Sequence, residues 1–165
     1  VPEATTTNDQ TIGLYPALGR IPSGIYIVTI GAGDSATGML ASWVQQAGFE
    51  PPMISLAVKQ GRPLSERLES GEPFVVNVIA EGQTKFLKHF GKGFEPGEPA
   101  FEGVELAETA VGVPALAEAV ATLECRSSAA ADSSDHRVII AHVIGGKLQS
   151  EASPMVHIRK RGDHY

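Results

Sequence analysis

Eighteen glycines and eleven prolines interrupt this chain so often that few stretches are long enough for a regular helix. What lies between them is short and rich in β-branched residues. Strands are expected over Ile25 to Ile30, Thr37 to Ser42, Met53 to Val58, Phe74 to Ile79, Ala119 to Ser127, Arg137 to Ile144 and Met155 to Arg159. In Thr122-Leu123-Glu124-Cys125-Arg126 the leucine and cysteine face one side and the polar residues the other, as on a half-buried antiparallel strand. Helices are fewer. Pro63 suits a first helical turn, Leu64 and Leu68 share a face, and Gly71 can close the helix. A second runs from Glu81 to Phe90, with Phe86, Leu87 and Phe90 as its apolar stripe, and Gly91 to Gly103 reads as a surface loop. Strands that do not alternate regularly with helices predict a mainly β fold, a closed antiparallel β-barrel with flanking helices, rather than a doubly wound sheet.

The 165 residues suffice for one core. The opening VPEATTTNDQ has the small, polar composition of a linker or fraying terminus, so residues 1–17 are expected to be linker-like and residues 18–165 to form the domain. Lysine and arginine total 13 against 19 acidic residues, a net charge of −6 that repels a nucleic-acid backbone. The most apolar stretch, Gly24 to Gly33, falls well short of the roughly 20 residues needed to span a bilayer. A lone Cys125 excludes an intramolecular disulfide. These features predict a cytoplasmic protein with neither a nucleic-acid nor a membrane partner.

Gly31-Ala32-Gly33-Asp34-Ser35-Ala36 follows a strand and matches the G-x-G-x-x-A dinucleotide fingerprint. That motif needs a helix N-terminus aimed at a pyrophosphate. Asp34 would place a carboxylate beside the anion, and Thr37-Gly38 weakens the helix. The expected acid downstream is also misplaced, since Glu50 precedes Pro51-Pro52 instead of ending a strand. A glycine-rich hairpin turn accounts for the same residues.

Other groups carry chemistry. Lys59-Gln60-Gly61-Arg62-Pro63 brings two cations and free amides together between a strand and a helix start, so it reads either as a phosphate site or as a solvated basic loop. Leu40-Ala41-Ser42-Trp43-Val44-Gln45-Gln46 combines a hydroxyl, amides and the only tryptophan, which suits a ligand with an aromatic ring and a polyol tail, or else a core tryptophan. His136 opens an apolar strand, placed to meet a cofactor or hydride donor or simply solvated. His89, His142, His157 and His164 have no metal-ligand spacing, so no structural metal is expected. Cys125 should be buried and inert. No G-x-S-x-G elbow surrounds Ser23, Ser35 or Ser42.

In order along the chain, LGRIPSGIYIVTI, MLASWVQQAGFEPP, PFVVNVI, KHFGKGFEPG, LECR, SSDHRVII and HIRKRGDHY resemble the flavin-reductase-like FMN-binding family from about Leu18 to Tyr165. Within it they are most similar to the C-terminal flavin reductase module of the flavodiiron proteins (diflavin flavoproteins) of oxygenic phototrophs, which end in a similar H-x-R-K-x-G-x-x-Y. The resemblance implies a Greek-key split barrel that forms a homodimer, with FMN near the dimer interface and NADH or NADPH as electron donor. It implies that Leu40, Ala41, Ser42 and Trp43 line the isoalloxazine and ribityl chain and that Gln46 and Ala47 close that loop. Arg62 would hold the phosphate with Lys59 as helper, and Phe90 and His136 would approach the flavin ring or the nicotinamide. Gly48 and Gly61 stand where related modules often carry serine and aspartate.

Hydride transfer to a flavin needs little acid–base help, so positioning is the protein's main task and no single catalytic side chain need be essential. The expected function is an NAD(P)H:flavin oxidoreductase that delivers electrons to free flavin or to a diiron-flavin core in the same polypeptide. The alternatives are a non-catalytic FMN-binding electron relay, a dimerisation domain without ligand, and a pyridoxamine-phosphate-oxidase-like enzyme.

Overall fold

The computed structural model describes residues 8–165, with side chains from residue 12 onward. The first seven residues of the segment expected to be linker-like lie outside it, and Asn8–Leu18 forms helix α1. Among the described residues no helix is long and apolar enough to cross a membrane.

Eleven strands follow in chain order: β1 (Ser23–Gly24), β2 (Tyr26–Ile30), β3 (Thr37–Ala41), β4 (Val44–Phe49), β5 (Pro52–Lys59), β6 (Phe74–Val78), β7 (Leu106–Ala107), β8 (Ala115–Leu116), β9 (Ala121–Ser133), β10 (His136–Leu148) and β11 (Val156–His157). Helix α2 (Pro63–Glu69) follows β5 and α3 (Thr84–Phe90) follows β6. Seven strands form one antiparallel sheet in the order β3-β2-β6-β9-β10-β5-β4. The mainly β, antiparallel architecture with flanking helices is therefore the one expected. The fingerprint-like Gly31 to Ala36 joins antiparallel β2 to β3 through a 3-10 turn at Gly33–Ser35, so no helix starts there.

The edge strands β3 and β4 are neighbours in sequence, separated only by Ser42 and Trp43. Three Cα–Cα steps reach at most about 11 Å. In a flat sheet of seven strands the edges would stand about 29 Å apart. The sheet must therefore curl until its two edges meet at the Ser42-Trp43 corner. The sheet ladders leave β3 and β4 each paired on one side, so the curled sheet is open along that seam.

Alternation along β2 explains why both faces of the sheet are covered. Val28 and Ile30 join a core with Leu56, Leu68, Phe74, Val76, Cys125 and Ile139, while Ile27 faces a second core with Ile79, Phe86, Phe90 and Leu116. Leu123 packs on the same core as the fully buried Cys125, as its strand pattern predicts, although Thr122 is buried as well. Asn77, also fully buried, is satisfied from both ends of its amide: Nδ2 donates to the Ile27 carbonyl at 2.8 Å, and Oδ1 accepts from the Leu116 amide at 2.8 Å. That pair fixes β8 against the second core and so supports α3, which supplies one wall of the site.

Candidate functional site

At the corner where the sheet edges meet, a cleft of about 250 Å³ opens between the ends of β3 and β5, helix α3, strand β11 and the last residues of the chain. Its body is apolar, built from Ile25, Met39, Leu40, Leu87 and Phe90. Lys59, Arg62 and Arg159 stand in its wall, and no aspartate or glutamate does. Among the described residues these three cations make no ion pair. In a chain of net charge −6, three uncompensated cations around an apolar cleft form an anion-attracting site with an apolar floor.

Local sequence sets this geometry. Strand β5 ends at Lys59, and Gly61 takes φ +76°, a conformation glycine adopts without steric cost. Pro63 then begins α2 and leaves Arg62 as the capping residue. The Ser65 hydroxyl donates to the Arg62 carbonyl at 2.7 Å, which fixes the Arg62 backbone. Gly93, at φ +75°, passes close beside the guanidinium. A Cβ there would stand 3.4 Å from Arg62 Nη1. A second recess behind Arg62, lined also by Lys92, Phe94, Glu95 and Glu98, shares Arg62, Met39 and Gly93 with the main cleft.

Six residues singled out from the sequence share the cleft wall: Leu40, Ala41, Ser42, Lys59, Arg62 and Phe90. Trp43, Gln46, Ala47 and His136 do not line it in the single chain. The loop expected to be closed by Gln46 and Ala47 is in fact strand β4 from Val44 on, because the Ala57 amide donates to the Trp43 carbonyl at 3.0 Å and the ladder with β5 starts immediately. Gln46 and Ala47 are exposed on that edge strand, next to a bulge between Gln46 and Gly48. Residues to which the sequence gave no role at the site also stand in the wall: Met39, Leu87, Gly91, Gly93, His157, Arg159 and Tyr165. The closing HIRKRGDHY carried the signal for three of them, but its pairing beside the cleft depends on β1 with β11, where Ser23 meets His157.

Trp43 is covered by the chain itself. Its ring centroid lies 4.7 Å from that of His136 and 5.4 Å from that of Tyr165, and the Arg159 guanidinium sits 5.1 Å over it. His136 is only 9% exposed. Its Nδ1 is 2.7 Å from Asp135 Oδ1 and its Nε2 is 2.5 Å from the Tyr165 hydroxyl. The hydrogen bond from His136 holds the Asp135 carboxyl below the usual carboxylate range. Partial burial pushes the Tyr165 phenol up, so it keeps its proton at neutral pH.

The curled antiparallel sheet, with an apolar cleft and three cations in its wall, places the chain among mainly β proteins that carry an open cleft at the sheet edge. The chain belongs to the flavin reductase like domain family, whose profile matches residues 18–164. It is 42% identical over 154 residues to putative diflavin flavoprotein A 3 of Nostoc sp. PCC 7120, a match that takes in 92% of this chain and 27% of that protein. The chain thus spans about a quarter of the length of such curated relatives. Among solved structures, the NADH:FAD oxidoreductase SgcE6 of Streptomyces globisporus C-1027 superposes with a TM-score of 0.82 at 26% identity, covering 95% of this chain and 93% of that one. The flavin reductase of styrene monooxygenase from Pseudomonas putida S12 superposes with a TM-score of 0.75 at 25% identity, covering 94% and 95%.

Proposed function

We propose that the cleft binds FMN and that the chain is a flavin reductase module, an NAD(P)H:flavin oxidoreductase. The observation that carries this reading is the placement of Lys59, Arg62 and Arg159, without a carboxylate partner, around an apolar cleft. Such a wall suits a ligand with a flat apolar ring system at one end and a phosphate at the other. Arg62 would grip the phosphate in a bidentate way with Lys59 adding a point charge, while Leu40, Ala41, Ser42 and Phe90 would bound the ring and its polyol chain. The flavin supplies the redox chemistry, accepting a hydride from the nicotinamide and passing electrons on. The protein binds, orients and keeps water from the apolar side.

The reading includes closure of the sheet as a split barrel and assembly as a homodimer. Ile144, Leu148, Val156 and Ile158 leave apolar side chains in solvent. Trp43 and His136 are covered by Arg159 and Tyr165 of the same chain, whereas Gln46 and Ala47 are exposed on β4, where a second copy would bring them toward its ligand. Because the curated relatives are several times longer, we also place this module in series with a diiron-flavin core of the same polypeptide.

The test is to titrate the protein with FMN and with FAD, then follow flavin absorbance after anaerobic addition of NADH or NADPH. Bound FMN that bleaches with a nicotinamide supports the proposal. Protein that takes up no flavin sinks it, and protein that binds flavin but oxidises no nicotinamide reduces it to an electron relay.

A further inference from the structure

His136 stands one layer behind the cleft, and its hydrogen bonds show through which residue it reaches the ligand. A carboxylate can only accept, so the 2.7 Å contact with Asp135 places the hydrogen on His136 Nδ1. In the neutral ring Nε2 is then an acceptor, and its 2.5 Å partner, the Tyr165 hydroxyl, is the donor. In that neutral form the phenol proton is committed to His136, and the phenol oxygen offers only lone pairs to anything else.

Tyr165 is well placed to use them. It stands in the cleft wall, and 63% of its surface is still open to solvent although its hydroxyl is tied down. The three cations of the wall are donors only. Tyr165 therefore adds to that rim an oriented acceptor on an aromatic ring. The ligands that fit the cleft carry N–H groups that could meet it: the pyrimidine edge of a flavin has a ring N–H, and nicotinamide has a carboxamide.

We propose that Tyr165 is a ligand-contacting residue whose oxygen accepts a hydrogen bond from an N–H of the bound nucleotide, and that Asp135 and His136 are positioning residues acting through it. This rests on the reading of the cleft as a flavin site. It gives His136 an indirect role in place of a direct contact with the ring. The packing of Trp43 against His136, Tyr165 and Arg159 is then a scaffold for the acceptor and also its built-in reporter, because Trp43 is the only tryptophan in the chain.

The experiment compares wild type, Tyr165→Phe, His136→Ala and the double variant in three measurements: Trp43 emission without ligand, FMN affinity, and nicotinamide KM at saturating FMN. In Tyr165→Phe the emission should stay as in wild type, since the ring remains. One of the two ligand constants should weaken by roughly 3- to 10-fold, the worth of one ordinary hydrogen bond, and which one identifies the donor as flavin or nicotinamide. His136→Ala should weaken the same constant, and the double variant should be no worse than the more affected single, because both changes remove one interaction. Unchanged constants in Tyr165→Phe overturn the proposal, as do losses that add in the double variant. An emission shift in Tyr165→Phe as large as that in His136→Ala also overturns it, since the hydroxyl would then hold packing rather than ligand. A wild-type protein that binds no flavin defeats the reading of the cleft itself, an outcome distinct from the others.

Discussion

Arg62 and Arg67 stand at the two ends of one short helix, α2, and the chain treats them in opposite ways. Arg67 is fully engaged: Nε and Nη2 donate to the two oxygens of Glu72 at 2.9 Å each, and Nη1 donates to the Ser35 carbonyl at 2.9 Å. Arg62 has no carboxylate partner among the described residues and stands at the junction of the cleft and the recess behind it. One arginine joins α2 to the β2–β3 connection, and the other faces the cleft that the proposed function assigns to a phosphate. On the proposed function the difference separates a cation that holds the fold from one that would hold a ligand, and the sharpest way to break it is Arg62→Ala. FMN affinity should fall by about 10- to 100-fold, since a charge-assisted bidentate contact contributes roughly 1.5–3 kcal/mol. The melting temperature should hardly move. A variant that lost stability but kept its flavin affinity would put Arg62 in the class of Arg67.

Arg67→Ala is the converse and smaller experiment. The Arg67 and Glu72 side chains keep 30% and 34% of their surface exposed, which discounts the pair to about 1 kcal/mol despite its two-pronged geometry. For a chain of this size that lowers the melting temperature by about 2–4 °C. FMN affinity should not change. Cys125 gives an independent readout, because it is fully buried and its thiol is pushed up to about 12, first by that burial and then by the Glu124 carboxylate. At pH 8 the thiolate form is negligible in the folded chain and becomes substantial only when the core opens. Alkylation of Cys125 should therefore be faster in Arg67→Ala than in wild type, and not in Arg62→Ala. Equal labelling rates in the two variants would erase the distinction between them.

The sequence disclosed one of these arginines more readily than the other for a physical reason. Arg62 sits in Lys59-Gln60-Gly61-Arg62-Pro63, where a strand end, a glycine turn and a helix start are all local signals. The apolar runs of β2, β5, β6 and β10 were legible on the same ground, since their alternation and β-branching are written within each strand. Strand β4 was not. Val-Gln-Gln-Ala-Gly-Phe has little strand propensity, and its conformation is decided by pairing with β5. Helix α1 was hidden by Gly13 and Pro16, which argue against a helix locally. The hairpin of β9 and β10 runs on from Ser127 to Ser133 through small and polar residues because these pair with β10 from Ala141 back to His136, where Ile139 and Ala141 are buried. For the site, the β3–β5 corner was readable, whereas the place of Arg159 and Tyr165 depended on β1 meeting β11 across almost the whole chain.

The smallest expected effect belongs to Lys59, which tests whether the comparison of the two arginines extends to a lysine. Lys59 ends β5, opposite His136 on β10, and is exposed. Its charge lies near enough to Asp135 to help hold that carboxyl low, yet the two make no ion pair. An exposed ammonium is a hydrated point charge without the fixed geometry of a guanidinium, so its attraction for a phosphate is screened by salt over about 8 to 10 Å. Lys59→Ala should therefore weaken FMN binding only about 2- to 4-fold at low ionic strength, roughly 0.5–0.8 kcal/mol. Raising the salt to about 1 M, where the screening length falls to about 3 Å, should bring wild type and variant together. The loss in Arg62→Ala should persist under the same salt, because a short, oriented hydrogen bond is not screened away as a distant charge is. Should salt abolish both losses alike, Arg62 too would act only as a distant charge, and the special place given to its guanidinium would be gone.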